Sequence, residues 1–401
     1  MSANLPITSE SDLGPESEAL RFTLVEGDAW TRAQRAVRLY PRSGKDGIAR
    51  RTIVFTLLAW LPLMLWALVN KRAFADTTSE PLMRHLEIHV RFLIALPVLI
   101  YGERVAKSVM KRLLPRFISS GVVPREKVPA FREVIAGVER LRDSTLPWVT
   151  IGTVILASML IPEASQRLRE LDWAREGNGL GIGGWWYLCV SRPLLQIFLL
   201  SWMWRIILIT IFFRRVVKLG LEPVPSHPDG LGGLGFLELL PRAFVPLVFA
   251  MSCVQAAYAA HDVKWHGTRI ASLQLQAGIF GVVALALCLV PLTVFIPLLK
   301  RARRKGLADY SDFTCHQERQ IHRRWIETKN PAIAPAGGTP EPSAAAPSTA
   351  LYNAVKAMRI IPCSRRTLME VAALVALPIL AVAALEIPVG ELLGKVLKTV
   401  F

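Results

Sequence analysis

No Asp or Glu lies in the middle of any long apolar stretch of this chain; Glu103, Glu163 and Glu386 stand only at the ends of such stretches. Proton relays and cation paths in membranes use buried carboxylates, so this lack counts against a proton-driven pump or a cation channel. Cysteine is scarce and scattered: Cys189, Cys253, Cys288, Cys315 and Cys363, with no two close in sequence. That excludes a disulfide framework and a CxxC zinc site. There is no HExxH and no GxSxG, and no Ser/His/Asp arrangement assembles from spacing, so no catalytic residue, metal ligand or cofactor is assigned. No internal repeat is present, and with it the inverted-repeat signature of many transporters is missing. About fifty polar residues precede the first apolar block, whereas a cleavable leader opens on a short basic region and an apolar stretch.

What is abundant is apolar residue and positive charge. Hydrophobic residues make up 52% of 401, and the mean hydropathy is +0.37. The apolar residues come in blocks that are apolar all round, not in the one-sided stripe of a soluble helix. Roughly 20 such residues cross a hydrocarbon core about 30 Å thick. The sequence therefore predicts an all-α, polytopic transmembrane bundle of about seven spans (six to eight), at 52–69, 88–101, 146–161, 185–213, 243–260, 273–299 and 371–385. The second is short and carries Arg91; the fourth is too long for one ordinary crossing.

The net charge of +17 would point to nucleic acid in a soluble protein. Here the positive residues sit beside apolar spans, where topology retention and anionic lipid headgroups account for them. With the N-terminus inside, the segments 1–51, 102–145, 214–241 and 300–370 hold 34 Lys and Arg, and the outside segments hold 10. One alternation thus places every strong cluster inside, including Arg50–Arg51, Arg214–Arg215 and the run from Lys300 to Lys305. It puts the N-terminus in and the C-terminus out. The expected organisation is an N-tail (1–50) with an interfacial helix at 20–40 anchored by Leu24, Trp30, Val37 and Leu39, and a six-span membrane part (51–300) with basic inner loop 102–145 and a Gly-rich loop at 222–241. An inner segment (301–370) follows, with a flexible Pro/Ala/Ser-rich linker at 331–350, then a final span and short outer tail (371–401) that packs peripherally.

The most distinctive local feature is the run from Ser226 to Phe236, which contains His227, Asp229, Gly232 and Gly233. Glycines open backbone conformations closed to other residues, and successive N–H groups in such a loop can make an anion-binding nest. His227 has the chemistry of a base or ligand, with Asp229 as its partner. Equally, Asp229 suits a helix cap with the glycines allowing close packing. The run lacks the lysine of a Walker loop and the preceding strand of a dinucleotide fold.

Other candidates are arginines in or beside spans: Arg91, Arg192, Arg205 and Arg242. A central arginine costs roughly 2.5–3.5 kcal/mol to insert. If the fourth crossing starts at Trp185, Arg205 reaches the inner boundary, with Trp202 and Trp204 as an interfacial belt. If the crossing is 194–213, Arg205 lies deep and needs a partner. Near the outer ends, Tyr258, His261, Asp262 and His266 cluster in sequence, and His85 and His89 stand one helical turn apart. Such a pair can share a metal, but without HExxH these histidines read as polar contacts, as do Cys315, His316 and His322.

The run His227, Pro228, Asp229, Gly232, Gly233, Leu234, Gly235, Phe236 resembles the HPDxxGGLGF loop of a group of uncharacterised bacterial multi-pass membrane proteins. The resemblance covers a few per cent of the chain and brings no activity with it. It implies a bacterial inner membrane.

Three functions are consistent with these features. The first is a transporter or channel-like protein for a small anionic solute, resting on the arginine bias, the broken spans and the Gly-rich loop. The second is a non-catalytic scaffold or accessory subunit whose basic inner face binds a protein partner, a second copy or anionic lipids. The third is an embedded enzyme acting on lipid headgroups at His227 and Asp229. A polar cavity at Arg205 favours the first, a packed dry bundle the second, and convergence of His227 and Asp229 with a third polar group the third.

Overall fold

The computed structural model describes residues 27, 29–39, 47–74, 81–160, 171–176, 179–266, 270–323 and 345–384. Among them the chain is helical almost throughout, with a two-residue antiparallel pair, β1 (Arg175–Glu176) and β2 (Gly179–Leu180). The helices are α1 (Ala29–Ala36), α2 (Ile48–Val69), α3 (Leu86–Val90), α4 (Leu96–Ser119), α5 (Val128–Asp143), α6 (Leu146–Leu160), α7 (Ile182–Trp186), α8 (Arg192–Lys218), α9 (Leu240–His266), α10 (Ile270–Leu289), α11 (Ile296–His322), α12 (Ala345–Lys356) and α13 (Arg365–Ala383). A π-turn, Arg91–Ala95, joins α3 to α4, and a second, Tyr187–Ser191, joins α7 to α8.

Four helices among the described residues are long and apolar enough to cross a membrane: Ile48–Val69, Ile182–Lys218, Gly235–Trp265 and Gln274–His322. The second runs 37 residues, about 55 Å at 1.5 Å per residue. The overlong fourth apolar block therefore lies in one continuous helix, longer than the roughly 30 Å of a hydrocarbon core. The last reaches 49 residues, bent where the 3-10 segment Val290–Phe295 carries Pro291. Helices also stand at the second, third and seventh expected positions, as α3–α4, α6 and α13.

The inward face of α2 is set by register, not polarity. Phe55, Ala59, Leu63 and Ala67 recur every fourth residue and are buried, while Ile53, Leu57, Leu61, Leu65 and Leu68 face outward. A helix apolar on both sides suits protein on one face and lipid on the other. The outward faces of α6, α10 and α13 are likewise apolar, with Val149, Leu156, Val282, Val283 and Leu377 all exposed.

At the centre, α4 packs along α9. Gly102 allows it: a Cβ there would come within 2.7 Å of Pro246 and 2.8 Å of Trp202, so only glycine lets the backbones approach this closely. Beyond this point α4, α5 and α8 close over an aromatic core. Phe117 meets Phe131, Phe212, Phe213, Phe236 and Phe295, with Phe236 edge-on at 4.8 Å. Edge-to-face pairs of this kind add to the burial of their area.

The N-terminal helix joins this bundle. Trp30 of α1 stacks on Phe55 at 5.8 Å and lies edge-on to Phe198 at 5.9 Å. Leu39 is buried and Val37 exposed; Leu24 lies outside the described residues. Much of the linker expected at 331–350 also lies outside them. The final helix, α13, packs on α9 and α10 with Val371 and Val375 inward. Between α10 and α13 is a cavity of about 360 Å³, lined wholly by apolar residues such as Gly278, Gly281, Ala372 and Ala376.

Candidate functional site

The polar residues that the fold brings together form three groups. The first is a buried ion network that joins α1, α2, α4 and α8. Glu103 of α4 lies between two arginines: Oε1 accepts from Arg205 Nη2 of α8 at 2.7 Å, and Oε2 is 2.6 Å from Arg51 Nη2 of α2. Arg51 Nε also donates to Gln34 Oε1 of α1 at 2.6 Å. The three charged residues are 2–3% exposed. The Arg205 guanidinium stands 5.0 Å from the Trp202 ring, and the Trp202 indole donates to the Leu99 carbonyl at 3.2 Å.

Arg205 is therefore buried within the protein and has its partner. Trp202 is fully buried instead of forming an interfacial belt. Glu103 is placed by helix register: Leu96, Leu99, Ile100, Ala106 and Met110 are buried on the same stripe, three or four residues apart. The position that reads in sequence as a span end lies inside the bundle because α4 continues to Ser119 under cover of α2, α8 and α9. The spacing of Glu103 on that apolar stripe is the signal in the sequence that marks it. Among the described residues, Arg205 Nη1 and Gln34 Nε2 are buried without a hydrogen-bond partner.

The second group is the Gly-rich loop. Asp229 Oδ1 accepts from the Leu231 and Gly233 amides at 2.8 and 3.2 Å, and Oδ2 from the Gly235 amide at 2.8 Å. Gly232 and Gly233 have φ of +67° and +90°, which lets the amides turn inward. A Cβ would come within 2.8 Å of Pro223 at the first and 2.9 Å of Val122 at the second. His227 Nδ1 is 3.0 Å from Asp229 Oδ1. Burial pushes the Asp229 carboxyl upward, but the three amides and His227 outweigh it and hold the group below the usual Asp range.

The loop is an anion nest filled by its own aspartate. Its outward atoms are engaged too. The Arg359 amide donates to the Gly230 carbonyl at 2.8 Å, its guanidinium reaches the Asp229 carbonyl at 3.3 Å and Glu238 at 2.7 Å, and the Ser226 and Tyr310 hydroxyls are 2.9 Å apart. His227 and Asp229 converge with backbone amides, and the arrangement is that of a cap which fixes the start of the Phe236 segment.

The third group gathers around the two π-turns. Arg91, first residue of one π-turn, donates to the hydroxyl of Tyr187, first residue of the other, and to Tyr258 of α9. Ser191, the last residue of the second π-turn, donates to the Ala59 carbonyl at 2.7 Å. Arg192 follows it, half-buried, without a polar contact among the described residues. Arg242 pairs with Glu370 of α13 at 3.0 Å. His89 and His85 part company: His89 Nδ1 accepts from the Trp60 indole at 2.9 Å and its Nε2 is 3.1 Å from the Leu82 carbonyl. His85 turns instead to Glu87 and His261. Twelve residues of helix, about 18 Å, separate Arg91 from Glu103, and the inward residues between them (Phe92, Ala95, Leu96, Leu99 and Ile100) are buried and apolar.

No family model, no curated protein and no solved structure matches this chain, so what it does is argued from these three groups alone.

Proposed function

We propose that this protein is a non-catalytic membrane scaffold or accessory subunit, which crosses the bilayer seven times with its N-terminus inside and binds anionic lipid headgroups at its basic inner face. The resemblance of the Gly-rich loop makes that membrane a bacterial inner membrane. The observation that carries the reading is the Arg205–Glu103 pair: the arginine best placed to meet a solute is already neutralised inside a close-packed bundle. The loop nest is filled by Asp229 in the same way.

Many of the other cations are exposed. Phe117, Phe213 and Phe295 meet in one cluster, so the residues just beyond them lie at one end. There Arg112, Arg116, Arg214, Arg215, Lys218, Lys300, Arg301, Arg304 and Lys305 are exposed. Basic residues near an anionic surface each contribute about 1 kcal/mol. An acidic protein partner would meet the same face.

A second reading, passage or binding of a small anion, is favoured by one observation. Among the described residues the buried network holds two donors without acceptors, Arg205 Nη1 and Gln34 Nε2.

Thermal unfolding of the purified protein separates the two. Phosphatidylglycerol, compared with phosphatidylcholine, should raise the midpoint by mass action. The gain should shrink in 0.5 M salt and in the Arg214→Ala/Arg215→Ala/Lys218→Ala variant. Stabilisation by chloride or phosphate alone, with no preference between the lipids, would overturn the scaffold reading and move the case to the anion.

A further inference from the structure

Three side chains converge at the end of the bundle opposite the basic face. His85 stands at the N-cap of α3, Glu87 lies in its first turn, and His261 belongs to the last turns of α9. His85 Nδ1 is 2.9 Å from Glu87 Oε1, and His261 Nδ1 is 3.7 Å from Glu87 Oε2. One donor atom from each residue falls within 4.8 Å of the other two. The imidazole rings lie almost parallel, 14° apart with centroids 5.4 Å distant. All three residues are buried, at 1%, 3% and 9% exposure, and Glu87 Oε2 has no hydrogen-bond donor.

We infer that His85, Glu87 and His261 form a site for one divalent transition-metal ion, with zinc the best match. Two imidazoles and a carboxylate are borderline donors of the kind zinc takes, with Zn–N of about 2.0–2.1 Å and Zn–O of about 2.0–2.2 Å. Around a tetrahedral ion such ligands stand roughly 3.3–3.5 Å apart. The separations of 2.9 and 3.7 Å are to the two different oxygens of the carboxylate, and the three donor atoms lie within 4.8 Å of one another, so the side chains draw together by up to about 1.5 Å to reach that spacing. Calcium and magnesium prefer oxygen-only sets and fit poorly.

His89 is not part of the site, since both its ring nitrogens are engaged. His261 Nδ1 lies 3.1 Å from the Arg84 carbonyl. When Nδ1 takes the metal the ring carries its proton on Nε2, as ligation requires a neutral imidazole with its lone pair on Nδ1. Three protein ligands leave a fourth position for water. The ion would tie the start of α3 to the end of α9, two elements held together there by side chains alone.

The test uses the full chain in detergent, stripped with chelator and desalted. Zinc chloride is added, free metal is removed, and bound zinc is measured by elemental analysis beside thermal unfolding. Wild type should retain one equivalent and gain stability. Glu87→Gln and His261→Ala should each weaken binding by more than the roughly 10–100-fold that loss of an outer contact costs. His316→Ala, in the exposed part of α11, should bind as wild type does. Wild type that keeps no zinc, or Glu87→Gln that keeps as much as wild type, overturns the inference. Cobalt(II) added to wild type is a readout free of folding defects in the variants. Strong visible bands of a tetrahedral ion support the site, and their absence overturns it.

Discussion

Replacing Glu103 by Gln should be among the most damaging single changes in this protein, and more damaging than removing Arg205. The carboxylate stands 2.6 and 2.7 Å from two guanidinium groups in a centre only 2–3% exposed. Glutamine preserves the shape and one acceptor but removes the negative charge that both buried guanidinium groups share. Breaking a buried ion pair from one side costs about 3–5 kcal/mol. Arg205→Met is different in kind. It removes one charge-assisted hydrogen bond, worth about 1.5–3 kcal/mol, but also removes a buried nitrogen that had no partner, which returns about 1–3 kcal/mol. What remains is the pair of Arg51 with Glu103, for a net cost of no more than about 2 kcal/mol. The assay is reversible unfolding in mixed micelles, followed by the fluorescence of the 11 tryptophans. A Glu103→Gln loss below about 1 kcal/mol, or one no larger than that of Arg205→Met, would refute the view that this glutamate neutralises both arginines.

Asp229→Ala should cost about 2–3 kcal/mol, because three amides lose their acceptor, and Asp229→Asn roughly half as much. The folded carboxyl titrates below its unfolded value of about 3.9, so its stabilisation is complete above that pH and is lost as pH falls through the folded value. Unfolding midpoints of wild type and Asp229→Asn should therefore converge in acid; a constant gap between pH 3 and 7 would contradict the cap. Exposed Cys315 of α11 should react with a membrane-impermeant maleimide only from the side that carries the basic helices, whereas buried Cys253 stays unlabelled in folded protein. Labelling of Cys315 in sealed vesicles of both orientations would refute the proposed topology.

The helical class and the lipid-facing blocks were legible because apolar length is a one-dimensional property of the chain. The cap at Asp229 was legible for a related reason: its partners, Leu231, Gly233 and Gly235, lie within six residues. The ion network was not, since Arg51, Glu103 and Arg205 lie on three helices and meet only through packing. Sequence spacing pairs His85 with His89, one turn apart. Local helix geometry sends His89 toward Trp60, and His85 finds its partner on α9. The partner of Arg205 could not be read from composition, because Glu103 lies 102 residues earlier on another helix.

The way α13 docks has a consequence for biosynthesis. Its contacts reach back to a helix made much earlier: Ser252 donates to the Val375 carbonyl 123 residues later, and Arg242 waits 128 residues for Glu370. At about 5–20 residues per second, translation leaves that groove of α9 uncovered for roughly 6–25 s. During that interval its small and polar residues, Ser252 among them, face lipid or an insertion factor. A chain that stops before Arg365 never closes the groove, and its exposed Ser252 and unpaired Arg242 would mark it for membrane quality control.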